Sequence, residues 1–114
     1  MIKSLFKRNT SGRIVSFEMT GHAEAGPYGS DIVCAAVSAL AVSAVNGIEA
    51  LAGVTPIVDV NEEEGGYLYT EIPAELNQEQ TNIVQVLLEN LLLGLQAIEQ
   101  EHDEYIELQT INNN

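Results

Sequence analysis

Apolar and polar residues alternate over residues 2–7 and again over 13–19. A period of two reads as two half-buried strands. Asn9-Thr10-Ser11-Gly12 supplies turn chemistry between them, which predicts a hairpin. In the second strand, alternation puts Val15, Phe17 and Met19 on one face and Ile14, Ser16 and Glu18 on the other. Thr20-Gly21-His22 ends that strand. Residues 23–30 read as a loop, broken by Gly26, Pro27 and Gly29.

The period then changes. Residues 32–48 carry no charge and are dominated by alanine and valine. Asp31 stands where an N-cap belongs, and the helix is predicted to reach about Ala52, with Gly53 as its stop and Pro56 beyond. Small residues almost all round predict burial on more than one side. The run is short for a membrane span and contains Ser38, Ser43 and Asn46, so it reads as a buried helix.

A third strand is expected over 57–60 and a fourth over 67–72. The glutamate-rich stretch between them reads as a solvated turn, because consecutive acids at a tip lack the convergent geometry of a metal site. Pro73 breaks the fourth strand. A second helix is predicted over 76–101, with Ile83, Val84, Leu87, Leu88, Leu91, Leu95 and Ile98 on its apolar face. Leu92 and Leu93 widen that stripe, which points to deep burial or a subunit contact. Residues 105–108 form a short last strand and 111–114 a frayed tail. The order ββαββαβ predicts an α+β two-layer sandwich, a mostly antiparallel sheet with both helices on one face. Residues 1–110 read as a single domain.

Composition narrows the function. The net charge is −13, and the four basic residues are Lys3, Lys7, Arg8 and Arg13. Nucleic acid needs clustered cations, so it is not an expected partner; a basic partner is favoured instead. The opening residues are too short an apolar run for a signal peptide. One cysteine precludes an intrachain disulfide, and the expected address is the cytoplasm, with no membrane association. No Cys/His spacing supports zinc. Gly26-Pro27-Tyr28-Gly29-Ser30 lacks the lysine of a phosphate loop, so neither a metal nor another cofactor is expected.

The candidate chemistry lies in Cys34 and His22. A lone cysteine in an Ala/Val-rich helix is often only a small buried hydrophobe. Here it is expected in the first helical turn, where unpaired N–H groups and the dipole favour a thiolate. His22 ends the strand leading into that helix and is the expected proton acceptor. Amides at the helix start could hold an oxyanion. Asp31 either caps the helix or orients His22. Ser38, one turn after Cys34, either lines a pocket or bonds back to the carbonyl of Cys34. His102 falls near the end of the second helix, where it reads as a solvated residue at the dipole's negative end.

Gly21-His22-Ala23, followed by Gly29-Ser30-Asp31-Ile32-Val33-Cys34-Ala35-Ala36-Val37-Ser38-Ala39, closely resembles the signature of the ribosomal-processing cysteine protease Prp family. The resemblance implies a catalytic dyad of His22 and Cys34, with Gly21, Asp31 and Ser38 in the surrounding motif. It implies removal of a short N-terminal extension from large-subunit ribosomal protein L-twenty-seven, after an aromatic residue. It also implies a homodimer and a mobile loop over the active site. From the residues themselves, Tyr28 or the small-residue helix face is the candidate pocket for the aromatic side chain. An acidic protease would attract a basic ribosomal tail. Two other readings remain open: a non-catalytic ribosome-assembly or interaction module, and a different thiol enzyme that hydrolyses another amide.

Overall fold

The computed structural model describes residues 1–21, 28–61 and 66–112, with the backbone alone for 28–31. The elements run β1 (Ile2–Arg8), β2 (Ile14–Thr20), α1 (Tyr28–Gly47), β3 (Ile57–Asn61), β4 (Tyr67–Glu71), α2 (Gln78–Glu101) and β5 (Ile106–Asn112). The predicted order and the α+β class hold. The five strands lie in the order β3-β4-β2-β1-β5. All neighbours are antiparallel except β1 and β5, which run parallel.

One face of the sheet is closed by the core. Phe6 pairs with Phe17 in register, and their rings stack at 5.6 Å. Both are fully buried, with Val33, Val84, Leu88, Leu95 and Ile106 in the same cluster. Removing a ring of this kind costs about 3–5 kcal/mol. The helices approach closely where a glycine meets a leucine. Gly47 faces Leu87, and a Cβ on Gly94 would stand 3.0 Å from Leu40.

The hairpin differs from simple alternation. Arg8 pairs with Ile14 and Lys7 with Ser16, so Val15 is an extra residue in β2. Such a bulge resets the parity of a strand. Ile14 was expected opposite Phe17, yet it joins the same buried core cluster. Gln85 of α2 fixes the bulge: its Oε1 accepts the Ile14 N–H and its Nε2 donates to the Ile14 carbonyl, both at 2.8 Å.

Helix α1 starts at Tyr28, three residues before the predicted cap. Tyr28, Gly29 and Ser30 are therefore helical rather than loop, and Asp31 is the fourth residue of α1, not its cap. Proline is tolerated just at a helix start, so Pro27 does not forbid this beginning. The predicted stop is correct. A π-helical turn, Ile48–Ala52, continues α1 and ends on Gly53 in the left-handed region at φ 67°.

The expected burial of α1 on several sides is not observed. Val33, Val37, Ala41, Ala44 and Ile48 are buried, while Ala35, Ser38, Ala39, Val42 and Ser43 are exposed. Small side chains carry no polarity contrast to mark which face turns inward. The segments Ile32–Ala52 and Gln78–Glu101 are long and apolar enough to cross a membrane by length and composition. Each also contributes a row of residues to the single core cluster.

Helix α2 opens two residues later than predicted, on an Asn77 cap. The Asn77 side chain accepts from the Gln80 N–H at 2.8 Å, and Gln80 Oε1 accepts from the Asn77 N–H at 3.1 Å. This reciprocal box satisfies two amides at once. His102 closes the helix, its N–H donating to the Ile98 carbonyl at 2.9 Å. Leu91 and Leu92 are buried, so only Leu93 and Val86 are left as large exposed apolar residues on α2. Strand β5 extends to Asn112, so Ile111 and Asn112 belong to the sheet rather than to a frayed tail.

Candidate active site

Strand β2 carries the chain to the site. Its last ladder residue, Thr20, pairs with Lys3 on one side and Tyr67 on the other. Gly21 follows at φ 90°, a conformation that glycine adopts without strain. Its N–H donates to the Gly66 carbonyl at 3.1 Å. A Cβ at Gly21 would collide with the carbonyl oxygen of Met1. His22 lies outside the described residues, as does the loop through Pro27 and any lid formed by it. The glutamates 62–64, expected in a solvated turn, lie outside them as well.

Cys34 is on α1, partly buried and packed against the core cluster. It is the seventh residue of the helix, in the second turn, not the first. Only the first four amides of a helix lack an intrahelical acceptor, and the dipole acts mainly within the first turn. The amide of Cys34 is therefore beyond the group expected to form an oxyanion site. Amides around Tyr28–Ser30 occupy that helix start instead. Flanking Cys34, Val33 and Val37 point into the core, at 1% and 4% exposure.

Ser38 lies one turn on and is exposed. It lines a shallow surface trough with Ala39, Val42, Ser43, Asn46 and Leu51. Tyr28 and Asp31 are placed by their backbone at the start of α1. The thiol-bearing helix, its start and the end of β2 are thus described, and Gly21 has a defined structural part. No sequence signal reveals the contact between Gly21 and Met1, because it joins residues far apart in the chain.

Comparison with known proteins bears on this site. The profile of the family described as cysteine protease Prp matches residues 1–107. A Bacillus subtilis ribosomal processing cysteine protease Prp is 39% identical over 110 residues, covering 96% of this chain and 97% of that protein. Among solved structures, a Streptococcus mutans protein superposes with a TM-score of 0.89 at 36% identity, covering 99% of this chain and 96% of the other. The essential ribosomal processing protease Prp from Staphylococcus aureus, in complex with a covalently linked product peptide, gives 0.80 at 30% identity, covering 97% and 100%.

Proposed function

The chain belongs to the cysteine protease Prp family, and from that premise we propose that it removes a short basic N-terminal extension from large-subunit ribosomal protein L-twenty-seven by a Cys34–His22 dyad. Membership makes it a cysteine protease of the ribosomal-processing kind, in place of a non-catalytic assembly module. The observation that supports the peptide substrate most directly is the similarity, over nearly the whole chain, to a Staphylococcus aureus relative in complex with a substrate peptide.

In the proposed mechanism His22 takes the Cys34 proton, and the thiolate attacks the scissile carbonyl. The tetrahedral intermediate collapses to a thioester while His22 protonates the leaving amine. Water, deprotonated by His22, then attacks the thioester; the acid product leaves and Cys34 recovers its proton. Gly21, Asp31, Ser38 and Tyr28 support or line the site in this reading. The net charge of −13 favours encounter with a basic tail. A homodimer in the cytoplasm, without nucleic acid or membrane, completes the proposal.

The test is a panel of basic N-terminal peptides with an aromatic residue before the scissile bond, cleaved by the parent and by Cys34→Ala. Cleavage after the aromatic residue by the parent alone is expected. Equal cleavage by Cys34→Ala refutes the nucleophile, and cleavage of unrelated peptides in preference refutes the substrate class.

A further inference from the structure

We propose that the outer edge of β3 is a docking site for an extended, basic peptide segment, which adds to the sheet as a further strand and sets its cationic side chains against Asp59, Tyr69 and Glu18. Neither Cys34 nor His22 takes part, so the inference goes beyond the peptidase reading and does not depend on it.

Strand β3 stands at the end of the sheet order β3-β4-β2-β1-β5 and pairs with β4 in continuous register. All five of its residues are exposed. Ile57, Val58 and Val60 are 53%, 41% and 56% exposed, although such side chains favour strands because they pack on a half-buried surface. Edge strands are ordinarily blunted by lysine, proline, a bulge or a covering element. Strand β3 contains neither lysine nor proline and has no register shift. Its outer backbone groups therefore form a row with which an extended chain can pair, the geometry of strand addition.

The two faces of β3 specify the occupant. Towards the helices, Val58 and Val60 lie level with Thr70 and Leu68, and these with Phe17 and Met19 of the core. An added strand meets apolar side chains there. On the other face the row Asp59-Tyr69-Glu18 crosses β3, β4 and β2. It is flanked by Tyr67 and by Glu71, which accepts from the Tyr69 hydroxyl at 2.6 Å. Desolvation first, and then the charges of Glu18 and Asp59, raise the Tyr67 pKa, so both carboxylates act on that ring. Strands β2, β3 and β4 contain no lysine or arginine, and Lys3 and Lys7 stand beyond them on β1. Carboxylates beside aromatic rings suit an ammonium or guanidinium, through charge-assisted hydrogen bonds and cation–π contact. A segment that alternates Lys or Arg with aliphatic residues meets both faces at once. A second copy fits worse. Pairing all five residues of β3 with another β3 about a two-fold axis sets Asp59 directly opposite its own copy, between chains that each carry −13.

The test uses Cys34→Ala as its background, so that no thiol chemistry consumes the probe. A fluorescent peptide alternating lysine and valine is titrated by anisotropy, beside a peptide of the same composition in which the lysines and valines form two blocks. Asp59→Lys should weaken the alternating peptide about fivefold or more, whereas Glu101→Lys, the same charge change at an exposed residue of α2, should weaken it less than about twofold. The block peptide should bind more weakly than the alternating one. Methylating the backbone nitrogens of the lysines alone or of the valines alone should abolish binding in one case and spare it in the other, because one edge of an added strand faces β3. Equal losses in Asp59→Lys and Glu101→Lys overturn the proposal, since general attraction by charge then suffices. Equal binding of the two methylated peptides overturns it as well, and that comparison needs no protein variant should Asp59→Lys fail to fold. Absence of binding also overturns it; β3 amides that gain hydrogen-exchange protection as protein concentration rises would then identify a second copy as the occupant.

Discussion

Gln85 clamps a buried strand from a helix, and its removal should be costly. The amide side chain meets both backbone groups of Ile14 at 2.8 Å, where Ile14 is fully buried and β2 carries its bulge. Gln85→Ala leaves an N–H and a C=O without these partners. Each stranded buried group costs about 1–3 kcal/mol. Gln85 is only half-buried, so water can reach part of the gap, and a total of about 2–4 kcal/mol is expected. At about 4 °C per kcal/mol for a domain of this size, Tm should fall by about 8–16 °C. Urea titration should show a lower midpoint at an unchanged m-value, because the surface exposed on unfolding is nearly the same.

Gln85→Glu sharpens the test. A protonated carboxyl can accept from the Ile14 N–H and donate to its carbonyl, as the amide does; a carboxylate cannot donate and faces the carbonyl's negative end. The folded state therefore favours the neutral acid, which raises the folded pKa above the unfolded value of about 4.3. Its stabilising contribution is complete below that unfolded value and is lost as pH rises through the folded one. The gap in stability to the parent should be small near pH 4 and wide at pH 7. A change under about 0.5 kcal/mol in Gln85→Ala would refute the clamp. A gap in Gln85→Glu that does not depend on pH would refute the two-bond account.

Cys34→Ala and His22→Ala should each abolish cleavage with little change in melting, and Cys34→Ser should fail as well, because a hydroxyl is far less ionised under the same base; substantial turnover by Cys34→Ala would sink the mechanism. Arg8 and Glu89 form a bidentate pair at 2.8 Å. Hydrogen bonding to Arg8 lowers the Glu89 pKa, so the pair's contribution is present above about pH 4.3 and lost as pH falls through the lowered value. With Glu89 45% exposed, Glu89→Gln should cost under about 1 kcal/mol at neutral pH and nothing in strong acid; a constant difference across that range would contradict the ion pair. Sedimentation over a wide concentration range should give a dimer, and a strictly monomeric species throughout would refute it. Lysine at Val42, Leu51, Val86 or Leu93, all exposed apolar positions, would show by dissociation which helix face is used.

Patterns carried by nearest neighbours were legible in the sequence; those set by distant partners were not. The alternation of β1, the 3.6-residue stripe of α2 and the Gly53 stop are local, and each appears as expected. Parity across the β2 bulge depends on pairing with β1 and on Gln85, seventy-one residues away from Ile14, so alternation alone misplaced Ile14. Strand β5 runs on through polar Gln109, Thr110 and Asn112 because β1 offers a parallel edge there. In addition, Glu99 accepts the Leu108 N–H at 2.7 Å. Of Gln109, Thr110 and Asn112 only Thr110 favours a strand, and the polar run as a whole does not announce one. For the site, residue type and spacing single out Cys34 and His22 as candidates, and the structure describes the helix that carries Cys34. The Met1 and Gly66 contacts that hold Gly21 exist only once the sheet has formed.

The earlier start of α1 changes where thiol activation must come from. With Asp31 as cap, Cys34 would have stood among amides without intrahelical acceptors, and the helix end could have shared the task of stabilising a thiolate. With the helix beginning at Tyr28, the Cys34 amide falls within the ladder, and the dipole's influence fades beyond the first turn. The thiol is partly buried and packed against the core. In the reading proposed above, the activation of Cys34 then falls to His22 rather than to the helix start.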